Sequence, residues 1–276
     1  MRLVVVGHVE WIRFARVRSV PSVGGIEHAI EAWEGAGGGG AVAGTQLARL
    51  AGGCLFLTAL GNDRVGGDAR GELDAHGVEV DAAIRAEPTR TALTMIDDAG
   101  ERTIVTLGER LHPVVADPLP WERIGDADGA FFTAGDVGAL RAARGARVLV
   151  ATSRVMDVLR AAGVALDVVV GSELDPAERY EPIEPPPAVV VRTRGRDGGS
   201  WETSDGRRGR YEAAAPSGPI VDTYGAGDSF QAGLTFGLAR GDDVEDALAL
   251  AARCGAAAAA GRGPTGGQLR AADLRT

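Results

Sequence analysis

The segment Asp222-Thr-Tyr-Gly-Ala-Gly-Asp-Ser-Phe230 joins a glycine-rich turn to the start of a helix. Its small residues, at 225–227, let the backbone approach a ligand closely and adopt angles that larger residues avoid. The apolar spacing of 229–239 predicts the helix, whose first turn leaves N–H groups unpaired at the positive end of the helix dipole. The segment therefore predicts an anion hole of the kind that receives phosphate oxygens.

Asp228 stands where this helix begins, and two roles are open for its carboxylate. An Asp in this position can simply cap the helix, with no ligand involved. Beside an anion hole, it can instead accept the proton of a substrate hydroxyl while the amides stabilise a phosphoryl group in transfer. The segment is not a P-loop, because no Gly-Lys-Ser/Thr follows. It is not a dinucleotide fingerprint either, because it does not follow the first strand.

Short apolar runs alternate with segments of helical spacing along most of the chain. The runs lie at 3–6, 54–57, 130–133, 147–150, 168–170 and 189–191. Helical spacing is found at 41–50, 67–76, 229–239 and 244–260. Strands that are apolar throughout and separated by helices are typical of a parallel sheet covered on both faces. We therefore expect one α/β domain over residues 1–276, with a mostly parallel central sheet and helices on both faces.

Two segments, about 9–36 and 88–107, do not fit a parallel core. The second has a hairpin pattern, with 91–96 and 103–107 on either side of Asp97-Asp-Ala-Gly100. We expect the two segments to pair into a small β lid over the active site. A lid of this kind has exposed strand edges, so a homodimer through the lid and a monomer are both expected outcomes.

Composition limits the partners and the compartment. The 276 residues carry a net charge of −9 without a dense basic run, which argues against a nucleic acid partner. Cys54 and Cys254 lack metal-ligand spacing, so we expect reduced thiols in a cytoplasmic protein. The N-terminal apolar run is too short for a signal peptide, and the alanines at 256–260 cannot span a bilayer, so no membrane contact is expected.

Four motifs in order resemble those of the ribokinase-like (PfkB) carbohydrate kinases, a family that includes fructokinases, ketodeoxygluconate kinases and adenosine kinase-like enzymes. Asp222-Thr-x-Gly-Ala-Gly-Asp228 is similar to the family signature, about fifty residues from the end. Gly37–Ala41 is similar to its N-terminal glycine motif, Ala59–Asp63 with Gly66-Gly67 to its A-x-G-x-D…G element, and Thr193-x-Gly195-x-x-Gly198 to its T-x-G-x-x-G loop. The resemblance covers nearly the whole chain.

The resemblance implies transfer of the γ-phosphoryl group of ATP to a hydroxyl, expected to be the primary alcohol of a sugar or sugar-like molecule, with Mg²⁺ on the phosphates. Asp228 would be the catalytic base, and Gly225, Ala226 and Gly227 would form the anion hole. The residues expected on the nucleotide side are Ser172, Thr193, Gly195 and Gly198. Ser172 and Asp175 stand where the family has Asn-x-x-Glu, and Asp175 would contact Mg²⁺ through water. Asp222 would help to hold a monovalent cation such as K⁺, or would serve only at the helix entry.

The acceptor side departs from the family pattern. Gly38 and Gly39 would approach the substrate, and Asp136 corresponds to a substrate-facing acidic position in some relatives. Ile12 replaces an Asp and Val42 replaces an Asn, two residues that bind substrate hydroxyls in relatives. Glu10 lies on the same side of a strand as Ile12 and would either replace the missing carboxylate or be solvated. These exchanges predict a less hydroxylated or partly apolar acceptor.

Three functional hypotheses follow, and the first is a sugar kinase. The second is a nucleoside kinase of the same family, in which Trp11, Ile12 and Val42 would form an apolar slot for a base. The third is a metabolite sensor that keeps the fold without turnover. The intact Asp228 argues against the sensor, because a sensor needs no base.

Overall fold

The computed structural model describes residues 1–98, 100 and 102–275. The strands of this part are β1 (Leu3–Val6), β2 (Glu10–Arg16), β3 (Glu31–Gly37), β4 (Cys54–Gly61), β5 (Val78–Arg85), β6 (Thr91–Ile96), β7 (Arg102–Leu107), β8 (Gly129–Phe132), β9 (Val148–Thr152), β10 (Val168–Ser172), β11 (Val189–Thr193), β12 (Gly199–Thr203) and β13 (Arg208–Tyr211). The α-helices are α1 (Gly39–Ala51), α2 (Arg64–Ala75), α3 (Val137–Ala143), α4 (Met156–Ala162), α5 (Ala226–Arg240) and α6 (Val244–Ala259).

Nine strands form one large sheet in the order β13-β12-β11-β10-β9-β8-β1-β4-β5. The pairs from β11 to β5 are all parallel, and the two pairs at the other edge, β11–β12 and β12–β13, are antiparallel. The predicted α/β class with a mostly parallel sheet is confirmed.

Apolar side chains bury both faces of this sheet. Leu3 and Val5 of β1 belong to a cluster that includes side chains of α1, α5 and α6, whereas Val4 and Val6 belong to a second cluster with α3 and α4. Alternate residues of a strand point to opposite faces, so a strand between two helical layers must be apolar throughout. This explains why the runs were recognisable in the sequence.

A second, four-stranded sheet has the order β3-β2-β6-β7, and we call it the small sheet. Its strands come from 10–37 and 91–107. β2 runs antiparallel to β3 and parallel to β6, and β6 forms a hairpin with β7. The predicted turn at 97–100 contains Ala99, which lies outside the described residues, while Gly100 has the predicted positive φ, at 77°.

The sheet order places a crevice between β1 and β8. From β1 the parallel strands continue through β4 to β5 on one side, and from β8 through β9 to β11 on the other. Ligands of open α/β sheets bind at such a switch point, outside the carboxyl ends of the strands. His8 and Thr133 follow those two ends. Across the described residues, no helix is long and apolar enough to cross a membrane.

Candidate active site

The N-terminus of α5 lies at this crevice. The helix begins at Ala226, three residues earlier than its apolar spacing predicts, so that Gly227 and Asp228 lie in its first turn. Gly225 is the N-cap residue and has no side chain, so Asp228 does not cap the helix. Among the described residues, no hydrogen bond engages the backbone N–H groups of Gly227 and Asp228. These donors remain free for an anion, whereas the N–H of Ala226, also predicted for the anion hole, donates to the carbonyl of Thr223 at 3.4 Å.

The turn contains glycine at positions 225 and 227 for two different structural reasons. Gly225 has a φ of 75°, and a Cβ there would lie 2.9 Å from Cγ1 of Val42 and 3.0 Å from the carbonyl oxygen of Pro264. Glycine is therefore required for the turn itself. A Cβ on Gly227 would meet nothing within 4 Å and would project into open space. The absence of a side chain at 227 has no packing reason in the described structure and keeps that space free.

The N-terminus of α1 meets Asp228 from the other side. A Cβ on Gly39 would lie 2.9 Å from Oδ1 of Asp228 and 2.7 Å from Oγ1 of Thr133, so only glycine lets the α1 backbone come this close to the carboxylate. Gly38, the N-cap residue, has a φ of 84° and donates its N–H to the hydroxyl of Tyr224 at 2.9 Å. Two helix N-termini without a capping side chain in the described structure thus converge on Asp228.

The surroundings of Asp228 raise its pKa to about 6, mainly because the carboxylate is desolvated and secondarily because Glu178 lies nearby. Arg154 and Arg102 lower the pKa, and Glu10 raises it further. A carboxylate with a pKa near neutrality is mostly ionised at pH 7 and is basic enough to take a proton in the transition state.

This pKa predicts the acid limb of the activity profile. Protonated Asp228 cannot accept a proton, so kcat/KM should fall about tenfold for each pH unit below about 6, well above the usual range for an aspartate. The measurement is initial rate at low acceptor concentration from pH 5 to 8, with circular dichroism to verify folding at each pH. A flat profile between pH 5 and 7 would contradict the assignment.

The acceptor side of the crevice is strongly charged. Glu10 is buried, and its Oε1 lies 3.3 Å from Nη1 of Arg90 and 3.8 Å from Nε2 of His8. Burial raises the pKa of Glu10, while Arg90, Arg110 and Arg154 lower it. Burial, aided by the same arginines, lowers the pKa of His8 well below its usual value, so this imidazole is neutral at pH 7. Glu10, predicted to bind substrate, therefore lies among cations and is not solvated.

The two apolar exchanges lie inside the protein. Ile12 is fully buried and packs with Phe14, Ala92 and Ile96. Val42 is also fully buried in α1, beneath Gly225. Neither side chain presents surface to a ligand, so their assignment to the substrate stays a prediction.

Trp11 and Asp136 have structural contacts of their own. Trp11 donates its indole N–H to Oε2 of Glu34 at 3.1 Å, on the opposite face of β2 from Ile12. The Asp136 carboxylate caps α3, accepting the N–H of Ala139 at 2.7 Å, and also accepts the N–H of Val115 at 3.0 Å. A substrate contact by Asp136 stays a prediction.

The residues predicted for the nucleotide lie together at the ends of β10 and β11. Ser172 and Thr193 are register partners, and Thr193 Oγ1 donates to the Gly171 carbonyl at 3.3 Å. Ser172 Oγ accepts the N–H groups of Leu174 and Asp175 at 3.2 Å each.

The loop after β11 turns at two predicted glycines. Gly195 and Gly198 have φ values of 57° and 74°, and a Cβ at Gly198 would collide with the carbonyl of Tyr211. The positive φ at both positions and the close approach at Gly198 account for the two glycines of the Thr-x-Gly-x-x-Gly motif.

Asp175 connects this region to the crevice. Its Oδ2 lies 2.8 Å from Nη2 of Arg154, and its Oδ1 accepts the N–H of Ala177 at 2.9 Å. Arg154 also pairs with Glu178, so one guanidinium bridges two carboxylates. Since Arg154 and Glu178 both act on the pKa of Asp228, the predicted metal-side residue and the predicted base lie in one charge network.

Asp222 lies below the anion hole and is almost fully buried. Its Oδ1 accepts the N–H of Tyr224 at 2.8 Å. Its Oδ2 is buried without a hydrogen bond in the described part of the chain. Burial raises the pKa of Asp222. A buried carboxylate oxygen that accepts no hydrogen bond can serve as a ligand for a cation. A role at the helix entry alone does not explain why this oxygen is left without a hydrogen bond.

Several residues of the site were not predicted from the sequence. Thr133 and Arg154 follow β8 and β9, whose carboxyl ends lie at the same edge of the sheet as that of β1. Because ligands bind at this edge, the positions of both residues after predicted strands could have identified them as site residues. Arg90 and Arg110 stand just outside the predicted hairpin, one at each end. Glu178 had no signal, because nothing in its local pattern predicts that it approaches Asp228.

Comparisons with known proteins agree with this geometry. The model of the pfkB family carbohydrate kinases matches residues 1–131 and 166–270. An ATP-dependent ribose-1-phosphate kinase from Halopiger xanaduensis is 30% identical over 280 residues, 95% of this chain and 93% of the relative. Arabidopsis thaliana ribokinase complexed with ribose and ATP superposes with a TM-score of 0.75 at 22% identity, covering 95% of this chain and 93% of that one. An adenosine kinase from Sinorhizobium meliloti has a TM-score of 0.79 at 17% identity, covering 99% and 98%.

The chain belongs to the pfkB family of carbohydrate kinases. It is an ATP-dependent phosphotransferase that acts on a sugar hydroxyl, which confirms the predicted family, fold and reaction. The hypothesis of a non-catalytic sensor is left without support.

Proposed function

We propose that the protein transfers the γ-phosphoryl group of ATP to the primary hydroxyl of a pentose-type sugar, with Asp228 as the base. The observation that carries the proposal is the position of Asp228. This carboxylate lies between the free N–H groups of α5 and the closely approaching α1 backbone, with its pKa raised to about 6.

The roles of the residues follow from these positions. Asp228 accepts the proton of the acceptor hydroxyl as the hydroxyl oxygen attacks the γ-phosphorus. The bond between this phosphorus and the β–γ bridging oxygen breaks, and ADP leaves with the electron pair. The N–H groups of Gly227 and Asp228 are available to stabilise the equatorial oxygens of the group in transfer.

The names of the relatives suggest acceptors to test. Ribose 1-phosphate and ribose follow from the kinases of those names, and adenosine keeps the nucleoside kinase alternative open. The nucleoside kinase hypothesis relied on an apolar slot for the base, formed in part by Ile12 and Val42. Both side chains are fully buried, so the slot gains no support. ADP release measured with these three acceptors ranks them. Failure of every sugar acceptor to stimulate ADP release would refute the proposal.

Two metal ions are proposed with different residues. Mg²⁺ would contact the protein through water at Asp175, whose carboxylate oxygens face the charge network of Arg154, and would neutralise the ATP phosphates. K⁺ would fit Oδ2 of Asp222, because this buried oxygen accepts no hydrogen bond of normal geometry in the described structure, although the backbone N–H of Gly263 is near enough to lower the pKa of the carboxyl. A melting temperature and activity that are equal in KCl and in choline chloride would argue against the K⁺ site.

We propose that the small sheet acts as a lid and joins two copies of the chain. Leu93, Val105 and Leu107 are exposed, and the register of β6 and β7 places Leu93 opposite Val105 on the face turned away from Phe14. Exposed apolar side chains of this kind favour association.

The proposed dimer has a direct test. Val105→Glu should convert a dimer to a monomer in light scattering coupled to size-exclusion chromatography. Ile84→Glu, at an exposed apolar site on β5 of the large sheet, should leave the mass unchanged. A monomeric wild-type protein at about 100 µM would refute the dimer, because a dimer with a Kd of about 1 µM, or about −8 kcal/mol, would be mostly assembled at that concentration.

A cytoplasmic location is also proposed, because ATP is the donor and both cysteines are buried free thiols. Cell fractionation would test it, and recovery of the protein outside the cytoplasm would refute it.

A further inference from the structure

Two arginines flank the β6–β7 hairpin of the small sheet. Arg90 immediately precedes β6, and Arg110 lies three residues after the end of β7. A Cβ on Gly108 would lie 4.0 Å from Cα of Arg90, so the two stems of the hairpin run side by side. Arg90 and Arg110, twenty positions apart in the sequence, are close enough for the charge of Arg90 to lower the pKa of Arg110 and for Glu10 to raise it.

The backbone at Arg90 is held from two directions. Asp63, at the start of α2, accepts the N–H and the hydroxyl of Thr89, both at 2.8 Å. The carbonyl of Arg90 accepts the N–H of Trp11 at 3.0 Å. These hydrogen bonds fix the backbone around Arg90 both to the start of α2 and to β2. A backbone held in this way preorganises the Arg90 side chain, which favours a binding role.

The guanidinium groups are not fully paired within the protein. The Nε atoms of Arg90 and Arg110 are buried without a hydrogen bond in the described structure. Glu10 is the partner of Arg90 at 3.3 Å, whereas no carboxylate of the described residues lies within 4.0 Å of Arg110. Buried donors without acceptors are costly, and an anionic ligand would remove that cost.

The charge balance around the pair is positive. Two arginines face one carboxylate, Glu10, and His8 is neutral because its pKa is lowered. The third arginine of the region, Arg154, already pairs with Asp175 and Glu178. The excess positive charge therefore belongs to Arg90 and Arg110.

This charge lies on the acceptor side of the catalytic carboxylate. Glu10, the partner of Arg90, is close enough to raise the pKa of Asp228. Arg154 affects the pKa values of both Glu10 and Asp228 and so lies within range of both ends of the crevice. A small ligand with its hydroxyl at Asp228 can extend toward the arginine pair.

We propose that Arg90 and Arg110 form a subsite for a phosphate group already present on the acceptor, so that the substrate class is sugar phosphates and the product a sugar bisphosphate. The inference rests on the proposed function and deepens it by assigning the second end of the acceptor. A phosphate monoester offers three oxygens and two charges to two planar guanidinium forks, a better match than a carboxylate or a neutral hydroxyl.

Isothermal titration of the full-length enzyme without ATP tests the subsite independently of turnover. The probes are ribose 1-phosphate, ribonate as a carboxylate-bearing sugar, and ribose. Ribose 1-phosphate should bind at least about tenfold more tightly than either of the others, since charge-assisted hydrogen bonds are worth about one to two decades in affinity.

Arg110→Gln should weaken ribose 1-phosphate binding about 10- to 100-fold and raise its KM similarly, with little change in kcat and in the affinity for ribose. Arg110→Lys, which keeps the charge but loses the fork, should recover part of the loss. The matched control is Arg13→Gln, an exposed arginine of β2 that pairs only with Glu34 among the described residues and should bind like the wild type. Unchanged melting temperatures would show that each variant folds.

Equal or tighter binding of ribose or ribonate relative to ribose 1-phosphate would overturn the subsite. So would unchanged ribose 1-phosphate binding in a folded Arg110→Gln variant. Tight, Arg110-dependent binding of ribose 1-phosphate, with no ADP release from this or any other sugar acceptor on adding ATP, would instead uphold the subsite and refute the proposed function.

Discussion

Asp228→Asn is expected to lower kcat by about 10²- to 10⁴-fold, the range that a positioned general base contributes. Asparagine has nearly the same shape but cannot accept the hydroxyl proton. The KM values for ATP and acceptor should change little, because the backbone N–H groups of the α5 turn remain. The fold should be as stable as the wild type or slightly more so, because a desolvated carboxylate is replaced by a neutral amide. The measurement is steady-state ADP release together with a thermal melt.

A matched control separates catalysis from helix capping. Asp243 caps α6 and accepts the N–H of Asp246 at 2.9 Å, away from the crevice. Asp243→Asn preserves a good capping residue and should leave kcat unchanged. If Asp228→Asn retains more than about a tenth of the wild-type rate, Asp228 cannot be the general base. The residual activity of this variant should also lack the inflection near pH 6.

The large sheet could be predicted because its strands have a simple physical requirement. The runs at 54–57 and 168–170 are apolar at every position, and they are strands buried between two helical layers. The start of α5 was predicted less accurately, at residue 229, whereas the helix begins at residue 226. Glycine is a weak helix former, so Gly227 carries no helical signal. The turn before the helix depends on the positive φ of Gly225 and on the lack of room for a Cβ beside Val42 and Pro264, which are visible only in the fold.

The catalytic side of the site was also more predictable than the acceptor side. Asp228 and its glycines lie in one short segment whose chemistry can be read locally. The contact between Gly39 and Asp228 joins residues far apart in the sequence, and the Arg90–Arg110 pair depends on the register of a hairpin. Ile12 and Val42 were expected at the substrate from their positions in motifs. A motif gives a position on an element but not the depth of burial, and both side chains are buried.

Gly227→Val is expected to lower kcat/KM by at least about 10²- to 10³-fold, the loss that follows removal of a single oxyanion donor. The Cβ and its methyl groups would fill the open space over the first turn of α5, where the phosphoryl group has to meet the N–H groups of Gly227 and Asp228. Gly227→Ala, with a smaller side chain, should have a smaller effect. The order of the two variants therefore reports how closely the phosphoryl group approaches the backbone.

The melting temperatures of the Gly227 variants should not fall with their activities. A Cβ at 227 meets no protein atom within 4 Å, and alanine is a better helix former than glycine by about 1 kcal/mol, so Gly227→Ala should melt at the wild-type temperature or slightly above it. Gly71→Val is the matched control, since Gly71 is an exposed glycine of α2 with the same open surroundings. It should leave both properties nearly unchanged. A Gly227→Val enzyme that is as active as Gly71→Val would show that the phosphoryl group does not approach this turn. A large loss of activity with unchanged melting would mean that the glycine at 227 is required by the ligand and not by the fold.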